Sequence, residues 1–218
     1  MTVAQLQYVN QIDKTTPDTI ERLGWIVCHL FGKTEEQVNS MNEGKFFKLV
    51  AKVERMMAAK PSRLRKVVLQ TDATKITLGQ FIECQHWLKN DLIQVLDLVA
   101  ASIKIKRTDH AADALKMKGK PFTLVLPKVN EFVLSMNSLI KSYSGLFEID
   151  DEEEAEERQP ENVHPFLQQY SWLFSAKELA DYNRISLNES YDLPILEAFN
   201  GLAYLKSKAA YEKWKSKK

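Results

Sequence analysis

The sequence predicts a mainly α protein: a multi-helix bundle with at most a small β element, then an acidic linker, then a C-terminal helical subdomain. Three observations carry this. Apolar residues recur at three- and four-residue intervals through most of the chain, the spacing that gathers them on one helix face. Helix-start signals precede several of these stripes. Only 7 glycines occur in 218 residues, where average usage gives roughly 15. That shortage argues against hairpin-dense sheets, propellers and glycine-rich phosphate loops.

The elements follow in order. Thr16 as cap, Pro17 at the first helical position and Asp18 near the N-terminal dipole open a helix carrying Ile20, Leu23, Val27, Leu30 and Phe31. Gly32 closes it, because a left-handed residue is needed there. Thr34 with Gln37 forms a capping box for a short helix. Asn42 starts another, striped by Phe46, Leu49, Val50, Val53, Met56 and Met57 and stopped by Pro61. Leu64 to Gln70 contains Val67-Val68-Leu69 and reads as a strand or extended linker. Thr77 with Gln80 forms a second capping box, ahead of Phe81, Ile82 and Trp87. Asn90-Asp91 interrupts, and Leu92, Val95, Leu96, Val99 and Ile103 give the most regular apolar stripe.

Lys104 to Lys120 is basic and reads as a loop with one helical turn around Ala111 to Leu115, ended by the turn Gly119-Lys120-Pro121. Phe122 to Leu126 is a short apolar run, the second possible strand. A helix then runs from Pro127 through Phe132, Val133, Met136, Leu139, Ile140 and Tyr143, with Gly145 as its stop. Residues 148–157 carry eight acids and no base, so they cannot bury a face and read as a solvated linker. The expected organisation is therefore a helical core domain at 1–147, an acidic linker at 148–164 and a C-terminal helical region at 165–218. In that last region an aromatic-rich helix runs from Phe166 to Tyr182, and Ser186 with Glu189 caps a single turn. Pro194 opens the final helix, with Ile195, Leu196, Phe199, Leu202, Ala203 and Leu205 on its buried side, ending in Lys213, Lys215, Lys217 and Lys218.

Composition narrows the functional classes. Lys and Arg number 30 against 29 Asp and Glu, for a net charge of +1, and 44% of residues are hydrophobic. No run of about 18 apolar residues is present, so no transmembrane helix is expected. Met1 to Asn10 has neither the basic nor the apolar region of a secretory signal. Two cysteines cannot build a disulfide framework, so a reducing compartment is expected.

Candidate chemistry is sparse. Cys28-His29 and Cys84-Gln85-His86 supply two Cys and two His, but adjacent helical residues point about 100° apart and share a metal ion poorly. No third group is visible that would orient a Cys–His nucleophile pair. No metal, cofactor or catalytic set is expected. From Lys45 to Lys75, nine bases face only Glu54 and Asp72. Lys45, Lys48, Lys52, Arg55, Arg63, Arg65 and Lys66 are the candidate phosphate contacts, since several cations along one face gain from counterion release. A solvated helix face is the simpler explanation of that run. Residues 206–218 hold six lysines and one glutamate, which suits a helix C-terminus. Trp172, Tyr204, Tyr211 and Trp214 are candidate protein contacts, because an aromatic as close to the terminus as Trp214 does not reach the chain's own core.

Two stretches carry a resemblance. The first is Lys75-Ile76-Thr77-Leu78-Gly79-Gln80-Phe81-Ile82-Glu83 with the Trp87 helix and Leu92 to Ile103. The second combines Trp172, Leu179-Ala180 and Ile185-Ser186-Leu187-Asn188-Glu189 with Leu193-Pro194-Ile195 and Asn200-Gly201-Leu202-Ala203-Tyr204-Leu205-Lys206. Together, over roughly 70–147 and 165–212, they resemble small helical neck and tail proteins of tailed bacteriophages, notably the crAss-like phages of Bacteroidetes. The resemblance implies a non-enzymatic virion protein, an oligomeric ring or connector subunit contacting portal, neck or tail subunits, assembled in the host cytoplasm and retained in the virion. The same resemblance allows a tail assembly chaperone absent from the finished particle. A nucleic-acid-binding role for the basic faces is the remaining alternative; DNA contact is not required by the first two.

Overall fold

The computed structural model describes residues 1–59, 67–107, 109–147 and 165–216. Among these, the chain forms twelve α-helices and one 3-10 turn, with three isolated β-bridges and no named strand. The all-helical expectation holds.

The chain divides into two compact units that interleave in sequence: Met1–Leu69 with His86–Asn130, and Gln70–Gln85 with Glu131–Lys218. This division differs from the expected domains at 1–147 and 165–218, because Gln70–Gln85 and the chain after Glu131 group with the C-terminal helices. The acidic linker at 148–164 lies outside the described residues.

In the first unit, α1 (Val3–Thr15) opens with a complete Thr2/Gln5 capping box, a T-x-x-Q signal at the chain start that the periodicity reading passed over. α2 (Thr19–Phe31) is capped by Asp18, whose Oδ1 accepts from Ile20 N at 2.9 Å and Glu21 N at 2.8 Å. Thr16 and Pro17 therefore lie before the cap. A carboxylate two residues from the first free N–H outcompetes a hydroxyl set further back. Gly32 takes the left-handed conformation at φ 61°, as expected of a residue closing α2. α3 (Glu35–Asn39) uses the Thr34/Gln37 box, and α4 (Glu43–Ala58) is capped by Asn42. α2 packs against α1, α3 and α4. One cluster joins Val9, Ile26 and Val53; another joins Val27, Val38 and Val50.

α6 (Leu96–Ser102) and α7 (His110–Lys118) pack closely in the same unit. The expected single turn near Ala111 is thus a full helix of 9 residues. Asp109 caps it by accepting from Ala112 N at 2.8 Å, and Asp113, Ala114 and Met117 are buried along it. The expected strand at Leu64–Gln70 reduces to one bridge between Leu69 and Lys104 over its described part. The α1 face holds the 91–97 segment through polar side chains. Gln7 donates to Gln94 O at 2.9 Å and to Asp97 Oδ1 at 2.5 Å, and Lys14 pairs with Asp91 at 2.8 Å.

The Asp91 contact has a pH consequence. The Lys14 hydrogen bond, more than the N–H groups of Gln94 and Ile93, holds the Asp91 carboxyl below its ordinary range. A depressed carboxyl stabilises the fold fully above its unfolded value and loses that contribution as pH falls through the folded one. Both partners are well exposed, so solvent screening limits the pair to at most about 1 kcal/mol. Urea midpoints at pH 7 and pH 3 should therefore differ less for Asp91→Asn than for the native chain. An unchanged difference would remove Asp91 as a contributor.

α8 (Phe122–Ser142) corrects two expectations. Phe122 to Leu126 is helical, and Pro127 lies inside the helix rather than at its start. Phe122, Val125, Val129 and Phe132 are all buried at helical spacing, so the apolar stripe passes through the proline unbroken. Pro127 itself is exposed, where its missing N–H is least costly.

In the second unit, a 3-10 turn (Ala73–Lys75) precedes α5 (Leu78–Trp87), whose start uses the Thr77/Gln80 box. α9 (Ser144–Phe147), α10 (Pro165–Asn183), α11 (Leu187–Asp192) and α12 (Ile195–Ser216) follow. Gly145 sits inside α9 instead of ending a helix. Ser186 and Glu189 form the expected capping box. Ile76 and Thr77 pair with the 193–195 backbone: Leu78 N donates to Leu193 O at 2.9 Å and Ile195 N to Ile76 O at 3.0 Å. α12 buries Ile195, Ala198, Phe199 and Leu202, whereas Leu196, expected on the buried side, is exposed. Residue 196 lies about 100° around the helix from 195, and the buried stripe at 195, 198, 199 and 202 leaves it outside. Gly201 permits the close approach of α10: a Cβ there would stand 2.7 Å from Leu179 Cδ2.

Candidate interaction surfaces

The second unit is organised around stacked and edge-on rings. Phe199 lies 5.0 Å from Phe81, 5.2 Å from Tyr143 and 5.4 Å from Phe147, measured between ring centroids. Trp172, an expected protein contact, sends its ring to 5.6 Å from Phe81, so part of its surface belongs to this core. Its other side lines an apolar groove of about 640 Å³ with Phe147, Phe174, Leu202 and Leu205.

The remaining expected protein contacts are exposed. Tyr204 on α12 meets Tyr182 on α10 at 5.4 Å, and Tyr211 stacks on Trp214 at 5.9 Å. Tyr170, Leu173, Phe174 and Leu196 are also exposed on these two helices. Solvent-facing aromatic and aliphatic side chains are thus gathered on α10 and α12, as they are where a surface meets another chain.

The basic candidates divide. Lys45, Lys48, Lys52 and Arg55 all lie exposed on α4. Their spacing of three, four and three residues places them within about 80° of the helix circumference, at 100° per residue. Glu54 falls outside that stripe. Lys52 Nζ also sits 5.2 Å over the Phe31 ring. No carboxylate among the described residues pairs with these four cations. Arg63, Arg65 and Lys66 lie outside the described residues.

The cysteines and histidines have local roles. Cys28 is half-buried and lines a groove on the first unit; burial, and then the Glu35 carboxylate, push its thiol above its ordinary value. A thiol held protonated is a poor nucleophile. The His29 ring stacks on Tyr8 at 3.6 Å. Cys84 is fully buried in the second unit. His86 packs edge-on against Trp87, which itself stacks on His110. Among the described residues no group of three His, Cys, Asp or Glu side chains is placed to hold a metal ion. No described helix is long and apolar enough to cross a membrane.

One surface escaped the sequence reading. The groove beside Cys28, about 650 Å³, lies where the starts of α2, α3 and α4 converge. Trp25, Val38, Met41 and Phe46 supply apolar walls, and Asp18, Glu21, Glu35 and Glu43 supply four carboxylates with no base. Each acid has a local explanation at a helix start, and only the packing of three helices brings them to one cleft. The sequence signal available was that all four sit in a cap or first turn.

No family model, no curated protein and no solved structure matches this chain.

Proposed function

We propose that this protein is a structural assembly subunit and not an enzyme, working through contacts with other chains. The observation that carries the reading is the gathering of exposed aromatic side chains on α10 and α12, with Tyr211 and Trp214 more than half exposed. Large rings left in water are costly unless a partner covers them. Combined with the resemblance in the sequence, the specific reading is an oligomeric ring or connector subunit in the neck or tail of a tailed bacteriophage, contacting portal, neck or tail proteins in the virion. It needs no cofactor and no membrane. A tail assembly chaperone is the same reading without retention in the particle. Mass spectrometry of purified particles from the encoding phage decides between them: several copies per particle are expected, and absence from particles overturns the virion assignment.

A second reading has its own observation, the α4 stripe of Lys45, Lys48, Lys52 and Arg55. Four phosphate contacts would make log K for duplex DNA fall against log salt with a slope of about −3.6, at roughly −0.9 per contact. Lys48→Ala/Arg55→Ala should then flatten the slope by about 1.8. Binding that ignores salt, or no binding at low salt, eliminates this reading.

A further inference from the structure

Resting on the assembly reading and giving it a contact, we infer that the exposed end of α12 from one copy docks in the acid-rimmed groove between α2, α3 and α4 of a second copy. The two surfaces match in chemistry. The groove has apolar walls and a rim of Asp18, Glu21, Glu35 and Glu43. The end of α12, residues 207–216, is exposed at every position. At 100° per residue, Tyr204, Lys208, Tyr211, Trp214 and Lys215 fall within about 120° of one another, making a mixed aromatic and lysine stripe. Rings of that stripe fit apolar walls, and its ammonium groups reach a carboxylate rim.

The cleft, about 650 Å³, lies within the roughly 300–1,000 Å³ range of pockets that take small ligands, room for ring side chains of the stripe rather than for the helix itself. Helical stability in proteins comes mostly from packing of one face, and the last ten residues of α12 are exposed at every position, so a docking partner that covers the stripe stabilises this end of the helix. Gly24 supplies an independent sign. It stands inside α2, where glycine costs about 1 kcal/mol relative to alanine, and a Cβ added there meets nothing within 4 Å. The glycine leaves the groove open.

Because groove and helix end are different surfaces, the contact is head-to-tail. Repetition closes into a ring or extends as a filament.

The test uses the full chain in sedimentation velocity over a concentration series. Gly24→Leu fills the groove while favouring helix; Tyr211→Ser/Trp214→Ser strips the helix end; circular dichroism checks that both fold. The native chain is expected to self-associate, and each variant to weaken association at least tenfold. Mixed together, the two variants retain one intact groove and one intact helix end, so they should form a 1:1 pair that grows no further. Glu21→Gln/Glu35→Gln/Glu43→Gln should weaken association similarly and reduce its salt sensitivity. A native chain that stays monomeric overturns both this contact and the homo-oligomer reading. A native oligomer untouched by Gly24→Leu, or broken only by the helix-end variant, overturns the contact and leaves the assembly reading standing.

Discussion

Phe199→Ala should cost the second unit about 4 kcal/mol, within the roughly 3–5 kcal/mol of other buried phenylalanine truncations. Phe199 is fully buried, and Phe81, Tyr143 and Phe147 approach its ring at 72–89°. Edge-to-face pairs of this kind add about 0.5–1.5 kcal/mol each beyond the area they bury. The surrounding rings are stiff, so the vacated space collapses poorly and the cavity cost remains. A domain's total stability is only about 5–15 kcal/mol, so this single truncation removes a large share of it. Phe199→Leu, which keeps much of the volume, should cost about half as much. Urea unfolding followed by tryptophan fluorescence, with hydrogen exchange across α5 and α12, would measure both. A loss below about 1 kcal/mol for the alanine variant would show that Phe199 is not the centre of that core.

Asp113→Ala should destabilise the first unit by about 3 kcal/mol, the low end of the range for breaking a buried ion pair. Asp113 is wholly buried on α7 and takes the Lys104 ammonium at 2.5 Å. Removing the carboxylate strands a lysine whose stem is packed. Lys104 keeps 24% of its side chain exposed, so its charge partly rehydrates, which is why the low end applies. Desolvating both partners already offsets much of their attraction. The double variant Lys104→Met/Asp113→Leu should therefore recover more than half of the loss. Denaturant titration of the three chains forms the comparison. If the double variant is as unstable as Asp113→Ala, the pair acts through hydrogen bonding to its surroundings and not through compensated charge.

Much of the helical pattern was legible because its causes are local. Thr34 with Gln37, Thr77 with Gln80 and Ser186 with Glu189 each reach three residues along the chain, and each forms the reciprocal hydrogen bonds that its spacing allows. Gly32 ends α2 for an equally local reason. Where local signals compete, helix ends move by a few residues: Asp18 displaces Thr16 as cap, and an exposed Pro127 does not interrupt a stripe buried on the opposite side.

The candidate surfaces were legible only in part. The α4 cations share a face because residues three and four apart always do. Tyr211 and Trp214, both exposed, stand among six lysines in residues 206–218, a stretch too charged to bury a face. Trp172 was different, because its ring packs edge-on against Phe81, a residue 91 positions earlier.

By itself, then, the sequence determined that this protein is helical, where several of its helices begin, and which residues share a helix face, since hydrogen bonds and side-chain periodicity act within a turn or two. The tertiary structure decided which segments pack together. It placed Gln70–Gln85 with the C-terminal helices, buried Asp113 against Lys104, and brought four unrelated carboxylates to one cleft. Such choices depend on how well distant apolar faces fit and exclude water, a property of pairs of surfaces that no single stretch of residues contains.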